Sequence, residues 1–149
     1  MKWIAIVAGG LVVVVVAVAA IGALLPRTHK ASRTMRLHRS PEDVWPVLLQ
    51  TMQTSSVPVD ILQSDPPHRL VTRVTESEKN FGGTWITELA PAAGGGCEVT
   101  IAEDGWVENP IFRFVSRLVI GHHATMDGVL KQVAKTLNEE AVLRDPAGS

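Results

Sequence analysis

The spacing of hydrophobic positions changes character along this chain, from an unbroken run to alternation by two and then to a helical repeat. Residues Trp3 to Leu25 carry no charge, and thirteen of these 23 residues are Val, Ile or Leu. At roughly −0.3 to −0.6 kcal/mol per such residue, the run favours membrane insertion by about 4–8 kcal/mol. At about 1.5 Å per residue it also crosses a hydrocarbon core of roughly 30 Å. The pattern predicts a transmembrane anchor over residues 1–26. A cleaved signal peptide has a shorter apolar core of about 7–15 residues and a small-residue cleavage site, which Ala23-Leu24-Leu25-Pro26 does not supply. A buried core helix would be amphipathic or shorter.

Beyond the anchor, Lys30 to Arg39 reads as a strand with Met35 and Leu37 on one face. Ser40-Pro41-Glu42-Asp43 starts a helix, with Ser as N-cap, Pro in the first turn and acids near the positive end of the dipole. That helix carries Val44, Trp45, Val47, Leu48 and Met52 inward, and Pro46 is expected to kink or shorten it. Four strands follow: Val57 to Gln63, Arg69 to Thr75, Thr84 to Ala90 and Cys97 to Asp104. They are separated by Pro- and Gly-containing turns and so predict an antiparallel meander. Asn109-Pro110 opens a long final helix. Its stripe of Ile111, Val115, Leu118, Val119, Met126, Val129, Val133 and Leu137 recurs with the helical period and is expected to face the sheet. Gly121 and Gly128 each cost about 1 kcal/mol relative to Ala, so a bend near Gly121 or close packing is expected. Residues 143–149 are expected to form a disordered tail.

Charge adds an orientation. Arg27, Lys30, Arg33, Arg36 and Arg39 follow the apolar run with no acid before Glu42, whereas only Lys2 precedes it. This asymmetry predicts that the folded part lies on the cytoplasmic face. The same cations either set topology alone or also attract anionic lipid, at about 1 kcal/mol each near the surface. The net charge of −1, with the cations crowded at one end, argues against a nucleic-acid partner. Residues 26–149 are enough for one compact domain. The single Cys97 excludes an internal disulfide and a cysteine-based zinc site, and in an apolar strand it reads as an inert buried thiol.

Several segments together resemble the SRPBCC superfamily, the START-like and polyketide cyclase/dehydrase-like domains. They are Ser40-Pro41-Glu42-Asp43-Val44-Trp45, the run 66–73, Phe81-Gly82-Gly83-Thr84-Trp85, Glu103-Asp104-Gly105 with 109–114, and the run 121–127. The resemblance covers roughly 30–142 and points to a membrane-anchored, uncharacterised branch. It implies an α+β helix-grip fold: an antiparallel sheet wrapped around a long C-terminal helix over residues 27–142, with an apolar cavity between them. Five strands are visible here where such domains usually have six or seven. The fold is therefore expected to be shortened by about one hairpin, leaving a sheet edge that faces the membrane, a second copy or solvent.

Among residues with chemistry, His122 continues the apolar stripe. It reads either as a general base or polar ligand contact, or as a core-facing imidazole satisfied by backbone. Glu103 shares strand parity with Cys97, Val99 and Ile101. It reads either as an acid/base partner of His122 or as a solvated turn carboxylate, while Glu88 is expected to face water. Trp45, Trp85 and Trp106, with Val99, Ile101, Leu118, His122 and Met126, are the expected ligand-lining set, although Trp residues commonly serve as core alone. His122 and His123 point apart, and His29, His38 and His68 stand alone, so no metal site is expected. No Ser-His-Asp signature, phosphate loop or dinucleotide fingerprint occurs, and no cofactor is expected. The leading expectation is a tethered domain that binds an apolar small molecule or lipid without transforming it, with the bilayer as its standing partner. The alternatives are a cyclase- or dehydratase-like enzyme using His122 and Glu103, and a non-catalytic interaction domain, including a homodimer formed through the open edge.

Overall fold

The computed structural model describes residues 1–55, 58–74, 81–121 and 123–146. The apolar run forms one helix, α1 (Lys2–Leu24), long and apolar enough to cross a membrane. Its side chains are exposed along most of its length, and only Gly22 is buried. At about 1.5 Å per residue, α1 is about 35 Å long.

The rest is an α+β unit built on one antiparallel sheet. Strands β1 (Thr28–Leu37), β2 (Val59–Asp65), β3 (Arg69–Val74), β4 (Phe81–Pro91), β5 (Cys97–Val107) and β6 (Leu143–Arg144) lie in the order β2-β3-β4-β5-β1-β6. The sheet thus has six strands where five were expected. The added one corrects the expectation of a tail disordered from residue 143, because Leu143 and Arg144 pair with Met35 and Thr34. Arg144 is also held by Glu98, and Asp145 accepts from Arg33 at 2.6 Å. Val57 and Thr75, expected strand ends, lie outside the described residues.

Helix α2 (Pro41–Gln53) begins as its sequence dictates, with the Ser40 hydroxyl accepting from the Asp43 amide at 3.3 Å. Pro46 does not end it. A proline there leaves only the carbonyl four residues back, that of the exposed Glu42, without its helical donor, and water can reach it. Val44, Leu48 and Met52 from α2 join Met126, Leu130 and Val133 from the last helix and Met35, Leu37, Val99 and Ile101 from the sheet in one buried core.

The expected long final helix is broken into three pieces. They are α3 (Pro110–Phe114), capped by Asn109 Oδ1 accepting from Ile111 and Phe112, a π-turn over Val115–Ile120, and α4 (Ala124–Thr136). Gly121, at φ 82°, separates the last two, using a backbone conformation open to glycine. This corrects the expected continuous stripe. A π-turn takes more residues per turn than an α-helix, so the helical phase slips and the stripe no longer points one way. Met126, Val129, Val133 and Leu137 remain buried, whereas Leu118 is 58% exposed and Val119 69% exposed.

Candidate binding cavity

The space under α4 is filled by the core. An open cavity of about 450 Å³ lies instead at one end of the sheet, between β1, β3, β4 and β5 on one side and α3 with the π-turn on the other. This volume lies within the roughly 300–1,000 Å³ usual for small-molecule sites. Its walls are mainly apolar: Val74, Phe81, Trp85, Trp106, Val107, Phe112, Val115 and Ile120.

Two glycines make room for the larger groups. Gly82 pairs with Trp106 across β4 and β5, and a Cβ at Gly82 would stand 2.7 Å from Trp106 Cζ2. Gly105 faces His29 across β5 and β1, and a Cβ there would stand 2.5 Å from His29 Cε1. Any side chain at either position would push a ring out of its place.

The polar end of the cavity is formed by His29 and Glu103. His29 Nε2 stands 3.7 Å from Glu103 Oε1, with side chains only 12% and 15% exposed. That separation suits an ion pair and exceeds hydrogen-bond length. Glu103 thus lies inward, as its strand parity with Val99 and Ile101 implied, but the described residue beside it is His29. His122, its expected partner, lies outside the described residues. A strand read from Lys30 leaves His29 outside the alternation, whereas β1 begins at Thr28. Extending the alternation of Leu37, Met35, Arg33 and Ala31 back by one more step reaches His29.

Of the expected lining set, Trp85 and Trp106 come together around the cavity, joined by the acid/base candidate Glu103. Trp45, Val99, Ile101 and Met126 belong to the packed core instead, and Leu118 faces outward. Glu88 is exposed on the other face, 3.9 Å from Arg69. Trp85 is buried, and its indole N–H has no partner among the described residues; the same holds for the hydroxyls of Thr72 and Thr87 on neighbouring strand positions. A buried donor without a partner costs about 1–3 kcal/mol, so Trp85 has hydrogen-bonding capacity to spare beside the cavity. No cluster of three or more metal-ligating side chains occurs among the described residues. His123 lines a second, polar cleft with Arg33, Asp127 and Lys131, in which Arg33 and Asp127 are already paired at 2.9 Å.

Cys97 is fully buried, and burial pushes its thiol up to about 11, with Glu139 and Glu42 adding to the effect. The basic collar, the five cations from Arg27 to Arg39, lies on β1 and just beyond its two ends and is met by acceptors. Arg27 lies 3.3 Å from Glu108, Lys30 lies 4.0 Å from Asp104, and Arg33 reaches Asp127 and Asp145. Arg36 donates to the Ala93 carbonyl at 2.5 Å, and Arg39 lies 3.9 Å from Glu139.

The arrangement matches known architectures. The truncated norcoclaurine synthase of Thalictrum flavum superposes with a TM-score of 0.56 at 10% identity, covering 76% of this chain and 95% of that one. A conserved protein of Geobacillus kaustophilus gives 0.54 at 12% identity, covering 78% and 99%. A protein of Mesorhizobium loti gives 0.52 at 13%, covering 75% and 97%. The fold is similar to theirs. At such identities the likeness concerns the fold alone. No protein-family model matches the chain, and no curated protein matches it.

Proposed function

We propose that this protein is a membrane-tethered domain of the SRPBCC kind, a helix-grip fold, that binds an apolar small molecule or lipid. The observation that carries the reading is the cavity walled by Trp85, Trp106, Phe112 and Val115 and closed at one end by His29 and Glu103. Apolar walls supply affinity, and a few polar groups orient a guest. A chain whose first helix is apolar enough to cross a bilayer works next to a reservoir of such molecules.

The folded part sits on the cytoplasmic face in this proposal. The cations of the collar are paired in the folded domain, yet the orientation rule reads residues near the span as the chain inserts. They therefore act in topology more than in holding the folded domain to anionic lipid. Delipidated full-length protein is expected to bind a fluorescent fatty acid saturably, and Val115→Trp, which projects a bulky ring into the cavity, is expected to weaken that binding strongly. Binding that is indifferent to Val115→Trp overturns the reading.

A second reading is acid/base catalysis, and one observation favours it: an imidazole and a carboxylate face each other in the cavity. Glu103 keeps the role expected of it, and His29 replaces His122 as the described partner. One of the similar folds is a synthase, so the architecture accommodates enzymes. Under this reading Glu103→Gln retains a bound guest but no longer converts it, as followed by mass spectrometry of the extracted guest. A non-catalytic interaction role draws on the exposed edge strand β2, whose Ile61 and Leu62 face solvent. Sedimentation of the detergent-solubilised chain distinguishes a β2-mediated homodimer from a monomer.

A further inference from the structure

The end of α1 and the segment after Asn109 are built as one piece. Gly22 is packed so closely on the Pro110 carbonyl that a Cβ there would collide with it. Arg113, 6% exposed, places its guanidinium over the last turn of α1, donating to the Gly22 carbonyl at 3.1 Å and the Leu25 carbonyl at 3.0 Å. The same group also donates to the carbonyls of Val107 and Glu108, at 2.9 and 2.6 Å. A cation on the free carbonyls of a helix C-terminus satisfies both their hydrogen bonding and the dipole. The depth of residue 110 relative to α1 is therefore fixed.

Gly22 lies two residues before the end of α1, which puts Pro110 within about 3 Å of that end along the helix axis. From this point the chain presents Ile111, Phe112, Leu118, Val119 and Ile120 to the outside, all exposed. No carboxylate occurs between Glu108 and Asp127, and Arg117 is exposed among these apolar groups. Phe112 and Ile120 are exposed and also wall the cavity, so they form its rim.

We propose that residues 111–120 are a second membrane contact, seated in the headgroup–acyl boundary beside the end of α1, and that they turn the cavity's mouth to the bilayer. This rests on the reading of α1 as a membrane span, and it adds a surface and a route. Segments of this kind bury their apolar side chains about 5–10 Å into the boundary, with basic groups at the headgroups. Continuity with α1 and the sign of the charge favour lipid over a second protein. An apolar guest would then pass between the acyl region and the cavity without crossing water.

The test uses the full chain in vesicles of phosphatidylcholine and phosphatidylglycerol. Val119→Cys, Val14→Cys and Gln63→Cys are each labelled with an environment-sensitive fluorophore; Cys97 is fully buried and stays unlabelled. Nitroxide lipids quench either near the headgroup or deep among the acyl chains. The label at 119 is expected to be quenched strongly by the shallow nitroxide and weakly by the deep one. The label at 14 should respond to the deep nitroxide, and that at 63 to neither. If 119 behaves like 63 while 14 is quenched deeply, the span stands and this proposal is overturned. If 14 is not quenched, the span itself fails and the proposal falls with it. Disulfide cross-linking of unlabelled Val119→Cys between copies, without lipid quenching, assigns the face to a dimer and also overturns it.

Discussion

The guanidinium of Arg113 donates to the carbonyl of Gly22, a residue 91 positions earlier, and so ties the apolar helix to the far end of β5. Without this bond the Gly22 carbonyl would keep only the Leu25 amide, at 3.3 Å, and the joint would rest on the packing of Gly22 against Pro110. With it, the orientation of the domain relative to α1 is set by a buried cation with four backbone acceptors.

Arg113→Met removes all four donors and leaves buried carbonyls unsatisfied. It is expected to cost about 3 kcal/mol, read as a lowered unfolding midpoint in detergent. Trypsin should then cut faster at Arg27, beside the freed joint. Arg113→Lys, with one compact charge in place of the planar fork, should fall between the two.

Gly105→Ala places a methyl group against the His29 ring. The expected result is a stability loss of about 1–3 kcal/mol together with weakened binding of a fluorescent fatty acid. Gly94→Ala, in the β4–β5 turn and far from the cavity, controls for the cost of replacing a glycine alone; it should lose stability and keep binding. Equal loss of binding in both variants would detach Gly105 from the site.

Cys97 should resist alkylation at pH 8 in the folded chain and react readily in denaturant. Its folded value is about 11 against an ordinary 9.0. The unfolded thiol therefore ionises first, and stability should fall as pH rises from about 9 towards 11. Cys97→Ala is expected to remove that alkaline slope, which is measured by denaturant titration at each pH.

Glu139 follows the opposite sign. Its partial burial raises the carboxyl, but the backbone amide of His38 at 2.7 Å, the His38 ring at 3.0 Å and the nearby Arg39 outweigh this and hold it below the ordinary 4.5. Stability from this contact is present above the ordinary carboxylate range and is lost as pH falls below it. Glu139→Gln should lower stability at neutral pH and flatten the acid limb of the stability curve.

Much of the fold was legible because local chemistry and global packing agree. Ser40 and Asn109 mark helix starts that the structure keeps, and the alternation of Cys97, Val99 and Ile101 continues to an inward Glu103. The final helix was less legible. Ile111, Leu118 and Val119 carry a helical repeat whose amphipathic face belongs outside, and a π-turn followed by a break at Gly121 cannot be read from periodicity alone. The site was half visible. Trp85, Trp106 and Glu103 were found from residue type and parity. His29 was hidden by a strand boundary drawn two residues late, and Gly82 and Gly105 matter through the rings opposite them, which only register reveals. The role of Arg113 has no sequence signal, because two of its four acceptors are the Gly22 and Leu25 carbonyls at the end of a helix remote in the chain.

The place of β1 in the sheet has a consequence for synthesis. It is the first strand after the apolar helix, yet it lies inside the sheet, and both its neighbours, β5 and β6, come from late in the chain. A nascent chain would hold β1 with neither edge paired until Cys97–Val107 has been made. Pairing over such separations is slow, so translation arrested before residue 97 should leave this strand open to proteases and chaperones.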